Sequence, residues 1–114
     1  MMKVYYHQGD IVYMDFSPSK DNEIKGMRPA VIISSDEFNR NSSYLMVVPI
    51  TMHGNNSPCY VELNGYRYVK GRVNTDQVHS YSLDRVGSLP MEQLRIKDFN
   101  KVVRGIKSIM GGVV

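Results

Sequence analysis

Short β-prone runs follow one another along this chain, and the polar segments between them are too short to carry crossover connections. A parallel pair needs a crossover of roughly a dozen or more residues, so neighbouring runs are expected to pair antiparallel. "GDIVYMDFSP" (9–18) alternates Ile11, Tyr13 and Asp15 on one face with Val12, Met14 and Phe16 on the other, and Ser17-Pro18 ends it. "RPAVIIS" (28–34) is aliphatic without alternation and reads as a central strand buried on both faces. "YLMVVPIT" (44–51) reads as a second buried strand. Its Pro49 donates no backbone hydrogen bond, so an edge or a bulge is expected there. "PCYVELNGYRYVKG" (58–71) has the form strand, Asn-Gly turn, strand; "RVNTDQVHSY" (72–81) is a further strand, and "LDRVGSL" (83–89) a turn with a short return strand.

Two helical segments complete the reading. Ser35 is placed to cap a short turn over 36–42, with Asp36 and Glu37 suited to its N-terminus. Near the end, Ile96, Phe99, Val103, Ile106 and Met110 recur at three- and four-residue steps; Pro90 opens this helix or a preceding turn, and Gly111-Gly112 end it. About six short strands and one amphipathic helix describe a mainly β fold: a small, partly closed barrel with the C-terminal helix packed on it. Residues 1–114 are read as one domain.

Composition narrows the function. A chain of 114 residues buries a sizeable core without metal or disulfide staples, and its one cysteine, Cys59, has no internal partner. His7, His53 and His79 are scattered and show no ligand spacing with Cys59, so no metal and no cofactor is expected. With no secretory leader and no long apolar run, the reading is a soluble, cytoplasmic protein without a membrane partner. The net charge of +3 is compatible with a nucleic-acid partner without demanding one. The polar loops at 17–26 and 52–57 are long for a domain of this size, which points to use. Arg28, directly before Pro29 and the aliphatic run, is either paired structurally with Glu23 or Asp76 or held out toward an anion.

In order and spacing, "GDIVYMDFSP", "NEIKGMRPAVIIS", "FNRNS", "VVPIT", "YVEL" and "GRVNTDQV" resemble the MazF/PemK toxins, the mRNA interferases of bacterial type II toxin–antitoxin modules, over about residues 9–110. The resemblance implies an SH3-like barrel and a homodimer. It also implies sequence-specific, metal-independent cleavage of single-stranded RNA, leaving 2′,3′-cyclic phosphate and 5′-hydroxyl ends. A cognate antitoxin would neutralise the enzyme and bind DNA together with it.

Such cleavage starts with attack of the ribose 2′-OH on the adjacent phosphorus. It needs a base, a proton for the leaving 5′-oxygen, and donors for the phosphoryl oxygens. By resemblance the arginine of the "RP" pair, Arg28, is catalytic; its permanently charged fork suits transition-state stabilisation better than proton donation. Thr51, at the end of "VVPIT", matches the family's catalytic threonine or serine, although threonine is also an ordinary strand residue. Some relatives carry an arginine two residues before the aspartate of "NTDQV"; here that position is Asn74, which shifts the burden to Arg28 and Thr51. Asp76 and Glu23 are the candidate bases or orienting carboxylates. Lys20, Lys25, His53 and Gln77 are candidate substrate contacts. Tyr66, Arg67, Tyr68 and Lys70 interleave rings and cations in a manner suited to unpaired bases, or form only a solvated hairpin tip. The helix stripe Lys97, Lys101, Arg104 and Lys107 reads as a wet face. Two other readings remain: a toxin of the same fold that acts by binding DNA gyrase, and an SH3-like binding module without catalysis.

Overall fold

The computed structural model describes residues 5–18, 26–52 and 59–111. Among these, the strands are β1 (Asp10–Asp15), β2 (Met27–Ile32), β3 (Tyr44–Thr51), β4 (Tyr60–Leu63), β5 (Gly71–Asn74), β6 (His79–Ser82) and β7 (Glu92–Gln93). The helices are α1 (Asp36–Asn41) and α2 (Ile96–Met110). All pairings are antiparallel, in the order β4-β5-β3-β2-β1-β7, with β6 also on β3. The sheet curls into a half-barrel, and α2 packs against β4. This is the mainly β architecture, with its terminal helix, that the loop lengths required.

Pro49 does not mark an edge. It lies buried in the central strand, paired with Ala30 of β2. On its other side β3 pairs with β6 only up to Val47 and with β5 only from Ile50. The residue without an N–H therefore occupies the place where β3 exchanges one partner for another, and no ladder bond is lost.

Two cores form on opposite faces of β1, β2 and β3. One gathers Ile11, Val31, Val48, Ile50, Val73 and Val102, with Phe99 and Ile106 of α2 against it. The other gathers Val12, Met14, Phe16, Ala30, Ile32, Leu45 and Val47, with Tyr6, Tyr81 and Leu83 against it. The aliphatic run is thus buried on both faces over Ala30, Val31 and Ile32, as the missing alternation implied, whereas Met27 and Arg28 emerge from it exposed.

Other segments depart from the sequence reading. After Asn64-Gly65 no strand returns directly; the ladder with β4 resumes only at Gly71, opposite Leu63. The intervening 64–70 loop makes side-chain ties instead, described below. Residues 72–81 are not one strand: a turn after Asn74 separates β5 from β6, because β3 offers them two different stretches of edge. Leu83–Arg85 form a 3-10 turn, Val86 makes one bridge to Met14, and the return strand is β7. On α2 the buried positions are Asp98 and Val102, flanked by Phe99 and Ile106. Ile96 and Met110, the first and last helical residues, stay 80% and 56% exposed, since a spacing rule does not register where a helix overhangs its sheet. Ser35 does cap α1, its hydroxyl accepting from the Phe38 N–H at 3.1 Å, and Gly111 ends α2 at φ 61°. Gly112 lies outside the described residues.

Candidate active site

β2 mounts Arg28. Its partner strands hold Met14 opposite Arg28 on one side and Pro49 opposite Ala30 on the other. Carried two residues further, the β2–β3 register sets Arg28 across from Thr51. By strand alternation both follow the face of Ala30, Ile32, Leu45 and Val47, so they stand at the open end of the second core. Arg28 is exposed and Thr51 is 8% exposed. Thr51 is further fixed by β5: it pairs with Arg72, and Gly71, at φ 115°, lets the chains approach so closely that a Cβ there would collide with the Thr51 carbonyl oxygen.

The Asp76-Gln77 turn joins β5 to β6 beside Pro49, two residues from Thr51 along β3. The Gln77 N–H donates to the Asn74 carbonyl at 3.1 Å. The turn is anchored from below. Thr75 is fully buried, donates to the Cys59 carbonyl, and packs against Gly105 of α2, where a side chain would meet the Thr75 hydroxyl at 3.0 Å. Asp76 is exposed and Gln77 half-buried. Asn74 is 4% exposed, so the position that carries an arginine in some members of the family presents no charge to solvent here.

Arg28 and Thr51 thus stand at the same end of the β2–β3 pair, and the turn bearing Asp76 and Gln77 leaves the sheet on the other side of β3, beside Pro49. The candidates Lys20, Glu23, Lys25 and His53 lie outside the described residues. Of the described residues that flank them, Gly26, whose carbonyl accepts from the Phe16 N–H at 2.9 Å, is two residues from Arg28, and Met52 follows Thr51 directly. Among the described residues, no group of three His, Cys, Asp or Glu gathers as a metal site would.

Beside Arg28 opens a cleft of about 470 Å³, a volume typical of small-ligand sites. Tyr13, Met27, Arg28 and Met52 line one side, and Arg67, Tyr68 and Lys70 the other, over Pro29, Ile50 and Val69. The interleaved rings and cations of the 64–70 loop divide in purpose. Tyr66 turns inward: its hydroxyl donates to Asp98 at 2.6 Å and accepts from the Arg95 N–H at 2.9 Å, and the Arg95 guanidinium lies 4.1 Å from its ring centre. Burial, and secondarily the Asp98 carboxylate, raise the Tyr66 pKa above that of a free phenol. Tyr68 turns outward, 59% exposed, with the Arg67 guanidinium 5.3 Å from its ring centre. Tyr13, Met27 and Met52 were not picked out from the sequence; for Tyr13 the signal was present, since an aromatic on the outer face of a strand sits idle unless something covers it. Lys97, Lys101, Arg104 and Lys107 are exposed on α2, and Arg104 and Lys101 line a different hollow beside β4.

Residues 7–110 match the family described as PemK-like, MazF-like toxin of type II toxin–antitoxin system. The chain belongs to that family. The endoribonuclease toxin MazF of Escherichia coli (strain K12) is 31% identical over 93 residues, covering 77% of this chain and 83% of that one. The fold is that of MazF from Deinococcus radiodurans, whose crystal structure superposes with a TM-score of 0.87 at 22% identity, over 96% of this chain and 99% of that one. A MazE–MazF crystal structure from the same organism aligns at a TM-score of 0.80 and 20% identity, over 96% and 98% of the two chains. The motifs by which the sequence resembled MazF/PemK toxins therefore marked true membership, and the relatives carry the name of an RNA-cleaving enzyme rather than of a gyrase poison or a binding module.

Proposed function

We propose that this chain, as one domain over residues 1–114, is a cytoplasmic endoribonuclease toxin. It cuts single-stranded RNA at chosen sequences by attack of the ribose 2′-OH and needs no metal. One observation carries the reading: in a member of this toxin family, the β2–β3 ladder ends at Ala30 and Pro49, and the exposed Arg28 and the nearly buried Thr51 each stand two residues beyond that last pair. In the reaction the 2′-oxygen bonds to phosphorus, the bond to the 5′-oxygen breaks, and negative charge builds on the non-bridging oxygens. The Arg28 fork donates to those oxygens, and Thr51 donates a second hydrogen bond or accepts the 2′-OH proton. Preorganised donors of this kind commonly contribute on the order of 10²–10³ in rate each. Asp76, on the neighbouring turn, or Glu23 takes the proton or orients its taker. Gln77, Lys20, Lys25 and His53 contact the strand. The relatives' MazE–MazF complexes support a protein antitoxin as inhibitor, and the family supports a homodimer.

The test is an RNA oligonucleotide containing one cleavage site, incubated in chelator. The products should carry 2′,3′-cyclic phosphate and 5′-hydroxyl ends, and a single 2′-deoxy residue at the scissile step should abolish cutting. Cleavage of the deoxy-substituted strand would rule out 2′-OH attack.

A further inference from the structure

A seven-residue coil on a protein surface is ordinarily mobile, yet the 64–70 loop is seated by the buried Val69 and fastened by side chains at successive points. Arg95 donates to the Asn64 carbonyl. Tyr66 is held by Asp98 at 2.6 Å. Both oxygens of Glu92 then accept successive backbone amides, from Arg67 at 3.0 Å and from Tyr68 at 2.8 Å. Glu92 is itself fixed, because β7 pairs it with Ile11 of β1. None of these ties involves the Tyr68 ring or the Arg67 guanidinium. They leave an exposed aromatic, with a cation against it, on the wall of the cleft whose opposite wall holds Arg28.

Resting on the RNA-cleaving reading, we propose that Tyr68, backed by Arg67, is a stacking platform for one unpaired base next to the scissile phosphate. Glu92 is the positioning residue that holds it. The occupant follows from the lining. Three cations, Arg28, Arg67 and Lys70, call for an anionic ligand, while Tyr13 and Tyr68 offer ring surface; a single-stranded nucleotide supplies phosphate and base together. Fixing the loop in advance removes ordering entropy from binding, so that the ring contributes to affinity rather than being ordered by the substrate. The Glu92 carboxylate works through backbone amides and touches no substrate.

The experiment is an abasic scan. Single abasic nucleotides are placed in turn on either side of the scissile step of a 2′-deoxy-blocked RNA, and its Kd is measured for wild type, Tyr68→Ala, Tyr68→Phe and Glu92→Ala. Tyr68→Ala should weaken binding of the intact strand roughly 5- to 150-fold. One abasic position should weaken wild-type binding comparably and leave Tyr68→Ala binding unchanged. Tyr68→Phe should restore the wild-type pattern. Glu92→Ala should raise KM for the cleavable strand more than it lowers kcat, with a modest fall in melting temperature that leaves the protein folded. If wild type cleaves RNA but no abasic position is coupled to Tyr68, the platform is wrong while the nuclease stands. If Tyr68→Ala instead loses only inhibition by an acidic antitoxin segment, the surface serves a protein and the proposal fails. If wild type cuts no RNA, the underlying reading fails first.

Discussion

The two walls of the Arg28 cleft are held in different ways. One is strand: Tyr13, Arg28, Pro29 and Ile50 line it from β1, β2 and β3, which are laddered to one another and packed on the two cores. The other is coil: Arg67, Tyr68 and Lys70 keep their places through the buried Val69 between them and a few polar ties from Glu92, Arg95 and Asp98. The strand wall suits groups that must meet a transition state within a fraction of an ångström, because ladder and core fix the mount many times over. The tied wall can change its residues without disturbing the sheet, which suits recognition. On the proposed reading, a catalytic pair on the sheet and a recognition surface on a pinned loop divide the two tasks.

Damage to the strand wall should be global. Ile32→Ala, at the fully buried end of β2, should destabilise the protein by about 2–5 kcal/mol, visible as a lower denaturant midpoint with the whole fold lost in one transition. If only the site loosened while the melting temperature held, the two walls would not differ in the way described. Gly71→Ala strikes the junction of β5 with Thr51, where a left-handed φ and the close Thr51 carbonyl both oppose a side chain. It should cost roughly 1–3 kcal/mol and reduce cleavage beyond what the lost stability explains, because Thr51 has to shift.

Damage to the tied wall should be smaller and local. Tyr66→Phe keeps the ring under Arg95 and deletes the hydroxyl between Asp98 and the Arg95 amide; a loss of about 1 kcal/mol is expected. The same hydroxyl gives a pH signature. Folding raises the Tyr66 pKa above its ordinary value of 10.0, chiefly through burial. Its contribution is therefore complete below that pH and is lost as pH rises through the folded-state value. Wild type should lose stability there, and Tyr66→Phe should lose less. Equal alkaline sensitivity in both proteins would remove Tyr66 from the account.

The same division explains what was legible in the sequence. The strand wall was, because alternation in 9–18 and its absence in 28–34 are local consequences of burial on one face or two. Arg28 and Thr51 carried little signal from their residue types and were singled out as candidates only through the motifs around them. Asn-Gly at 64–65 signalled a turn correctly, since Gly65 takes a φ of 77°, but the expected return strand was not there. What replaces it is written elsewhere in the chain: the Tyr66–Asp98 bond spans 32 residues and the Tyr68–Glu92 bond 24. No pattern within the loop reveals that its amides have a carboxylate waiting on β7. Pro49 is a similar case. Its missing donor was legible, but an edge and a change of partner satisfy it equally, and only the positions of β5 and β6 decide.

The most direct test of the central claim is the single-turnover cleavage rate of Arg28→Ala on an RNA that wild type cuts, measured beside its melting temperature. Arg28 is exposed, and its backbone place opposite Met14 does not depend on its side chain, so the variant should fold as wild type does while its rate falls by at least about 10²–10³. The loss should be severe, since buried Asn74 supplies no second cation in its place. A variant equally stable and still cutting at the wild-type rate would contradict the assignment of this end of the sheet as the site of cleavage.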